Sequence, residues 1–335
     1  ERAAPAMRAH AEPRCCLCGS PGAPLYRGLS DSVYSAPGRW SISRCRDDQC
    51  GLLWLDPMPV AEDLPAAYAS YYTHGEPAKT GIYRAGKLLY NVLAECLVWP
   101  AGVPLDRRRA ALMFLGDVRP GTLLDVGCGD GTFLARMRDR GWSVTGVDFD
   151  PAAAAAARER YGLEVRVGRL EDAFAGGRAS FDVITASHVI EHVPDPVRFL
   201  RQCRSLLRPG GRMVLKTPNA WSYGARRYGP AWRGLEPPRH LHIFTAPSLS
   251  RCARQAGFAI AACFTSAAGA DGILVASRFI ARKSSFREDG LSLVEKIEAR
   301  LARPLLALTA KLAWLRDRDC GEELCVVLTS GASQA

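Results

Sequence analysis

The residues whose spacing best defines a site are three glycines that follow an apolar run at 122–126. Gly127, Gly129 and Gly131 occupy alternate positions, and a helix-like segment begins directly after them. Glycine lets the backbone turn sharply and lets a ligand lie against it without a Cβ in the way. The free amides at the start of the helix suit a carboxylate or another anion. Thr132 stands where the dinucleotide-binding pattern GxGxxG has its third glycine, which disfavours a nicotinamide or flavin site.

Two acids flank this loop. Asp148 ends the next strand-like run, where a carboxylate can accept hydrogen bonds from both hydroxyls of a ribose. Asp125 lies just before the loop. Its charge is wrong for a phosphate site, but it suits a ligand that carries a cationic amine.

A cysteine cluster lies near the start of the chain. Cys15 and Cys18 form one knuckle-like pair, and Cys45 and Cys50 form a second, with Cys16 to spare. Four thiolates from two such turns can surround a zinc ion tetrahedrally, and a site closed by four sulfurs is structural rather than catalytic. The second pair is separated by four residues instead of the commoner two. A degenerate ribbon that holds no metal therefore stays open as the alternative.

Histidines are the candidate proton acceptors. His240 is the first candidate for a base or substrate contact, followed by His242 and His188; each has the alternative role of a hydrogen bond within its loop. Alternation would put His240 and His242 on one side if that segment is extended. Four arginines of the same loop region are candidates for a phosphate or carboxylate contact, with a solvated face as the alternative: Arg226, Arg227, Arg233 and Arg239.

The elements that must position these residues alternate between strand and helix from residue 122 onward. This texture predicts an α/β fold, with a parallel sheet covered by helices on both faces. We expect strands at 122–126, 143–147, 164–167, 181–186 and 212–217, and helices at about 131–140, 151–161, 195–207 and 246–256. Two further strands are expected at 258–266 and 323–329, with an amphipathic helix at about 290–315 between them.

The chain divides into four segments by composition and pattern. We expect a disordered start at 1–14, which lacks the apolar region of a secretory signal. A zinc-ribbon-like module follows at 15–75, and a helical linker or cover at 76–117 with helices around 83–97 and 107–115. The main domain spans 118–330, with a helical insertion at about 270–320.

The motifs of the main domain resemble those of the class I S-adenosylmethionine (SAM)-dependent methyltransferases. Segment 124–131 resembles their glycine-rich first motif, and Asp148 and Phe149 resemble the ribose acid and its neighbour beside the adenine. Segments 170–172, 181–193 and 207–211 resemble the loop after strand three, strand four with its loop, and the turn into strand five. The resemblance implies a Rossmann-like sheet of seven strands, six parallel and one antiparallel, with the last strand inserted between strands five and six.

The same resemblance implies SAM as cofactor and a set of residues that contact it. That set comprises Asp125, Gly127, Cys128, Gly129, Gly131, Asp148, Phe149, Leu170, Glu171, Ser187 and His188.

A cysteine module followed by such a domain is similar to a bacterial group of small-molecule methyltransferases. The similarity implies methyl transfer to a small or carrier-linked acceptor, at a hydroxyl of a sugar, polysaccharide or natural-product intermediate. One alternative is a ribosomal RNA methyltransferase with a zinc module. We do not expect a nucleic-acid partner, because the ribbon shows no dense Lys/Arg stripe with interleaved aromatics. The other alternative is a non-catalytic scaffold.

Composition limits the remaining classes. The chain has 335 residues, a formal net charge of +10 and 12 cysteines, seven of them scattered in apolar or periodic segments. Scattered thiols favour a reducing cytoplasm over secretion, and no apolar run is long enough for an ordinary transmembrane helix. The leucine pattern of 293–312 predicts a helix packed on the domain or on a twin subunit, with a peripheral membrane or lipid contact as the alternative. The oligomeric state stays open.

Overall fold

The fold is taken from a computed structural model, which describes residues 7–68, 90, 92–175, 181–287 and 289–330. Within these ranges, strands β1 to β5 are Ala9–His10, Gly22–Leu29, Trp40–Cys45, Leu53–Leu55 and Met58–Pro59. Strands β6 to β10 are Thr122–Val126, Ser143–Asp148, Val165–Val167, Phe181–Ser187 and Leu207–Pro218. Strands β11 to β13 are His242–Ile243, Ala259–Ser266 and Glu323–Thr329.

The helices lie mainly between the strands of the second half. Helices α1 to α5 are Val103–Ala110, Thr132–Arg138, Pro151–Tyr161, Leu170–Ala173 and Pro196–Leu206. Helices α6 to α9 are Tyr223–Tyr228, Ala246–Gln255, Ala270–Lys283 and Leu293–Arg316. Short 3₁₀ turns at Leu64–Tyr68, Ile190–His192 and Arg233–Leu235 also contribute to the site.

A seven-stranded sheet forms the centre of the main domain, in the order β12-β13-β10-β9-β6-β7-β8. Strand β13 runs antiparallel to both of its neighbours, and the pairs from β10 to β8 are parallel. The predicted α/β fold, with six parallel strands and one antiparallel strand inserted near the edge, is confirmed. Chain connections leave β6 and β9 in opposite directions, and ligands of open α/β sheets bind at the carboxyl ends of strands at such a switch point.

The helices pack on both faces of this sheet because their apolar residues recur at helical spacing. In α5 one buried stripe contains Phe199, Leu200, Cys203 and Leu206. Side-chain caps fix where helices begin: Asp150 accepts from the amide of Ala152, and Asp195 from that of Arg198. Such caps stabilise a helix by about 1 kcal/mol.

A second sheet contains the cysteine module, in the order β11-β4-β3-β2. Its edge strand β11 comes from the main domain, with His242 opposite Trp54 and Ile243 opposite Leu53. The ribbon sheet is thus completed by a strand that lies between β10 and β12 in the sequence.

The expected disordered start is wrong for residues 7–14. Ala9 pairs with Pro59 and His10 with Met58, and the indole of Trp54 donates to the carbonyl of Glu12 at 2.7 Å. Residues 1–6, 69–89 and 91 lie outside the described residues, and with them about half of the helix predicted at 83–97.

Two other helix predictions differ from the structure. Helix α1 ends at Ala110 instead of 115 and begins at Val103, with Pro104 in its first turn, where a missing N–H costs nothing. The insertion expected at 270–320 holds two helices, α8 and α9, of which only the second was predicted. The apolar side chains of α9 that face solvent include Leu293, Ile297, Leu301 and Leu305, and the surface that they contact stays a prediction. Among the described residues no helix is long and apolar enough to cross a bilayer.

Candidate functional site

The glycine loop begins at the carboxyl end of β6 and ends at α2. All three glycines have positive φ, at 72°, 53° and 76°. A Cβ on Gly127 would lie 2.5 Å from Val189 Cγ2, and one on Gly131 would lie 2.6 Å from Leu163 Cδ1. A Cβ on Gly129 would meet nothing within 4 Å. The outer glycines are therefore required by packing, whereas Gly129 presents bare backbone to open space, as a ligand lying on the loop needs.

Asp148 is locked against this loop. Its Oδ2 accepts the amide of Gly129 at 2.8 Å, and its Oδ1 accepts the amide of Asp150 at 2.9 Å. Burial raises the pKa of Asp148, against the opposing effect of these amide donors. A carboxylate oxygen can accept more than one hydrogen bond, so the group retains capacity for the hydroxyls of a ribose.

Asp125 is a buried carboxylate beside the same space. Only 5% of the residue is exposed, and its Oδ1 accepts the hydroxyl of Thr185 at 2.6 Å. Burial raises the pKa of Asp125 to about 7, and the negative charge of Asp148 adds to the effect. A ligand ammonium nearby would favour the ionised form, which agrees with the role predicted for this acid.

The other residues predicted to contact the cofactor differ in burial and in the hydrogen bonds that their side chains already make. The side chains of Cys128 and Leu170 are buried in the core, so any contact from these positions would come from the backbone. Phe149 is 57% exposed, and its ring lies 5.2 Å from that of Tyr68. Glu171 accepts hydrogen bonds from Arg198 and Gln202. Ser187 is half-buried at the end of β9.

His188 lies between two carboxylates. Its Nδ1 is 3.1 Å from Glu191 Oε1 and its Nε2 is 3.1 Å from Glu323 Oε1. Although burial opposes the charged form, these acids raise the pKa of His188 to about 9. The ring is thus a cation at neutral pH, with both nitrogens donating. A ring held between two carboxylates in this form has no lone pair to accept a proton, which argues against the base role predicted for His188.

His240 and His242 lie in different local structures. The amides of Arg239 and His240 both donate to the carbonyl of Glu236, so the chain turns before His240 instead of being extended. His242 lies in β11, 2% exposed, and within the described chain its Nδ1 has no hydrogen-bond partner. Burial lowers the pKa of both rings to about 4, so both are neutral at pH 7.

His240 instead meets Glu191 and His192 in what we call the acceptor-side cluster, defined by these three residues. The rings of His192 and His240 lie 4.8 Å apart. The hydroxyl of Tyr68 is 3.1 Å from His192 Nδ1, and the Tyr68 ring also contacts Phe149, so Tyr68 links the cluster to the glycine-loop side of the site. Sequence reasoning singled out His240 but did not group it with the other two. The available signal was an acid and a histidine, adjacent in sequence, directly after strand four.

The arginines predicted to hold an anion are largely used within the protein. Arg239 is fully buried and bonds Asp31 at 2.8 and 2.9 Å and Glu236 at 2.8 Å. Arg233 pairs with the same Glu236, and Arg226 pairs with Asp317 at the surface.

The four predicted zinc ligands converge. Cys15 Sγ lies 3.7 Å from Cys50 Sγ, and Cys18 Sγ lies 3.3 Å from Cys45 Sγ, while all four sulfurs lie within 4.8 Å of one another. Zinc–sulfur bonds of about 2.3 Å at tetrahedral angles bring sulfurs to within about 4 Å of each other, so the donor set fits the ion. Cys16 is exposed and outside this group.

The sheet order, the glycine loop and the acid that ends the second parallel strand agree with the resemblance to class I SAM-dependent methyltransferases. Residues 105–262 match a family model described as "Methyltransferase domain".

The chain is also similar to curated methyltransferases and to solved structures. A ubiquinone biosynthesis O-methyltransferase of Xanthomonas oryzae pv. oryzae is 40% identical over 109 residues, which cover 31% of this chain and 45% of that protein. The corresponding protein of Xanthomonas axonopodis pv. citri is 42% identical over 102 residues, or 29% and 43% of the two chains. The chain thus spans less than half the length of these relatives. A SAM-dependent methyltransferase from Mesorhizobium loti superposes with a TM-score of 0.44 at 21% identity, over 70% of this chain and 97% of the other.

Proposed function

We propose that the protein transfers a methyl group from SAM to a hydroxyl of a small or carrier-linked acceptor, a sugar, polysaccharide or natural-product intermediate. The observation that carries the proposal is the open space over Gly129, bounded by Asp148 and Asp125. The match to relatives described as O-methyltransferases supports an oxygen acceptor.

Each loop residue would hold one part of the cofactor. The bare backbone of Gly129 leaves room for the adenosyl group, and Asp148 would accept hydrogen bonds from the ribose hydroxyls. Asp125 would face the amine and Phe149 the adenine. The bound sulfonium supplies an activated methyl group, so the protein has two tasks: to align the acceptor and to remove its proton.

The acceptor-side cluster is the proposed destination of that proton. His240 Nδ1 lies 2.8 Å from the carbonyl of Gly234, which can only accept, so this nitrogen carries the hydrogen and Nε2 carries the lone pair. A neutral imidazole held in this way can take a proton at Nε2. His242 fits the role less well, because it lies within the ribbon sheet.

We propose further that Cys15, Cys18, Cys45 and Cys50 hold a structural zinc ion. Four protein sulfurs leave no open position for a substrate, so the ion would stabilise the ribbon without taking part in methyl transfer.

A pair of glycine variants tests the cofactor pocket. Gly129 and Gly162 have similar φ, 53° and 63°, and a Cβ on either would meet nothing within 4 Å. Gly129→Ala and Gly162→Ala should therefore lose similar stability, about 1–2 kcal/mol for an L-residue in this conformation. Only Gly129→Ala places its methyl group in the proposed pocket. We expect at least a tenfold weaker affinity for S-adenosylhomocysteine in that variant and an unchanged affinity in Gly162→Ala, by calorimetry.

Equal affinities in the two variants would show that the cofactor does not bind at this loop. A wild-type protein that gives no binding heat with S-adenosylhomocysteine would overturn the proposed methyltransferase function. Transfer of labelled methyl from SAM to a panel of nucleotide-linked sugars and phenols then tests the acceptor class. Label found in ribosomal RNA instead would contradict a small acceptor.

A further inference from the structure

We propose that a cavity between α6, α8 and α9 binds the diphosphate group of a carrier-linked acceptor through arginines of α6 and α8. The cavity has a volume of about 470 Å³, which is within the range of small-molecule sites. The residues that carry the argument are three arginines, two tyrosines and a leucine of its lining: Arg227, Arg278, Arg282, Tyr223, Tyr228 and Leu306. None of them belongs to the cofactor pocket or to the acceptor-side cluster. The inference deepens the proposed function and rests on it for the role of the ligand as methyl acceptor.

The fold places this cavity at the edge of the sheet where the cofactor pocket also lies. Helix α6 begins four residues after β10 ends, and α8 begins three residues after β12 ends. Both strands pair antiparallel with β13, so their carboxyl ends lie at one edge of the sheet. Ligands of open α/β sheets bind at this edge. The helices are held together by a small apolar cluster of Ala270, Leu274 and Ala310, against which Tyr223 and Tyr228 pack.

Two of the arginines are held side by side on α8. Arg278 and Arg282 lie one helical turn apart, so they share a face of the helix. Arg278 Nη2 and Arg282 Nη1 donate to the same oxygen, Glu298 Oε1, at 3.1 and 2.6 Å. A guanidinium has five N–H donors, so each arginine retains donors for another acceptor. The shared carboxylate thus keeps two cations together at the wall of the cavity.

Arg227 adds the third cation from α6. Its Cζ lies 5.6 Å from the centre of the Tyr228 ring, and among the described residues no carboxylate forms an ion pair with it. Burial raises the pKa of Tyr228, whereas the charges of Arg227 and Arg278 both act in the opposite direction. Cations from two different helices therefore act on the same phenol.

The balance of charge favours an anion with several oxygens. Three guanidinium groups meet one carboxylate, Glu298, which leaves an excess of two positive charges. Planar guanidinium forks match the oxygens of phosphate, and forks from two helices offer more donors than the two oxygens of one carboxylate can use. The rings of Tyr223 and Tyr228 and the side chain of Leu306 provide an apolar wall for the rest of the carrier. This combination fits a nucleoside diphosphate.

The cavity is connected to the loop that follows β9. The amide of Gly224 in α6 donates to the carboxylate of Glu322. The next residue, Glu323, contacts His188 Nε2 at 3.1 Å. A diphosphate held by α6 and α8 would therefore direct the attached hydroxyl along the same edge of the sheet toward the methyl group. The arginines would be positioning residues, because binding of a remote part of the substrate helps to align the reacting part.

Two neighbouring arginines of α6 provide a matched test, with uridine diphosphate as the probe. Both Arg226 and Arg227 are exposed, but Arg226 pairs with Asp317 outside the cavity. We expect Arg227→Gln to bind uridine diphosphate about tenfold more weakly than the wild type, because charged hydrogen bonds to phosphate are lost. Arg226→Gln should bind it unchanged. Arg227→Lys should recover only part of the affinity, since lysine keeps the charge but not the fork. Calorimetry at low salt, with S-adenosylhomocysteine at saturation, measures all four proteins.

A variant with the opposite sign guards against general damage to the fold. Glu298→Gln removes the carboxylate that competes for Arg278 and Arg282, so it should bind uridine diphosphate more tightly than the wild type. Damage to the fold would weaken binding instead. Uridine, which has no phosphate, should give no binding heat, whereas inorganic pyrophosphate should compete with uridine diphosphate.

Equal affinities in Arg227→Gln and Arg226→Gln, or weaker binding in Glu298→Gln, would overturn the inference. Binding that disappears when S-adenosylhomocysteine is present would place the probe in the cofactor pocket and would overturn it as well. Intact binding of S-adenosylhomocysteine without binding of uridine diphosphate would defeat the diphosphate site alone and leave the methyltransferase proposal in place. Arg227-dependent binding of uridine diphosphate in a protein that does not bind S-adenosylhomocysteine would do the reverse.

Discussion

Asp125 is a carboxylate that the protein keeps poorly solvated beside a space for a ligand. Because burial raises its pKa to about 7, a substantial fraction is protonated at and below neutral pH. A ligand ammonium favours the ionised form, so below pH 7 the group must lose its proton before the ligand binds. Affinity should therefore fall as pH falls.

We predict that the dissociation constant for S-adenosylhomocysteine rises by up to tenfold for each pH unit below about 7. Below this pKa, binding of the amine releases one proton from Asp125, so each pH unit changes the binding free energy by about 1.4 kcal/mol. Calorimetry between pH 5.5 and 8 measures the effect. Asp125→Asn should bind weakly with a flatter pH profile, and Asp139→Asn, a change at an exposed acid just after α2, should keep the wild-type profile. A wild-type profile as flat as that of the Asp125→Asn variant would show that Asp125 does not face the amine.

For individual residues, the sequence predicted the positions that depend only on spacing along the chain. Gly129 and Asp148 could be identified because strand, turn and helix follow one another directly along the chain. The state of His188 could not, since its second partner is Glu323 on the last strand. His240 was found as a candidate, but its contacts depend on the turn at Glu236 and on His192, which lies 48 residues earlier in the chain.

The loop that carries His240 is attached to the ribbon by a buried ion-pair network. Arg239 bonds Asp31 through both terminal nitrogens and Glu236 through Nε, and it also donates to the carbonyl of Ala67. Removing one partner of a buried pair leaves the other charge uncompensated, which costs about 3–5 kcal/mol.

We predict that Arg239→Met lowers the free energy of unfolding by about 3 kcal/mol or more, because Asp31 would remain buried without its cation and Glu236 would keep only Arg233. Arg226→Met is the matched control, since its pair with Asp317 is exposed on both sides and such pairs contribute about 0–1 kcal/mol. Urea unfolding of both variants measures the difference. Similar losses in the two would mean that the buried network does not hold the loop.

Elements were predicted best where a regular pattern is uninterrupted. Strands β6 and β13 have the predicted bounds because their apolar runs end at clear polar or glycine positions. Helix α8 was missed, although Leu274, Val275 and Phe279 line its buried side, because the leucine repeat of α9 dominates the insertion. The two-residue strand β11 is too short to show an alternating sequence pattern, and it is a strand only through its pairing with β4.

For the molecule as a whole, the ribbon and the main domain are joined at several points besides β11. The hydroxyl of Thr245 donates to the carbonyl of Cys50 at 2.6 Å, and the side-chain amide of Gln255 donates to the carbonyl of Leu17 at 2.8 Å. Arg251 pairs with Asp47 beside the second cysteine pair. If the ribbon holds the proposed zinc ion, its loss should therefore weaken the main domain too.

We predict that Cys18→Ser abolishes binding of the ribbon zinc and lowers the melting temperature of the whole chain, because structural zinc contributes directly to folding free energy. Cys16→Ser should retain both, since Cys16 lies outside the cluster. Elemental analysis and calorimetric melting of the two variants measure this. A Cys18→Ser protein that melts like the Cys16→Ser protein would show that the ribbon is held by packing alone.

The pairing of His242–Ile243 with Leu53–Trp54 limits how such a protein can be rebuilt. A ribbon grafted in from another enzyme in place of residues 7–59 would arrive with an edge shaped for a different strand. Any exchange of the front module should therefore carry along the stretch around residue 242, so that the new edge meets the strand it was shaped for.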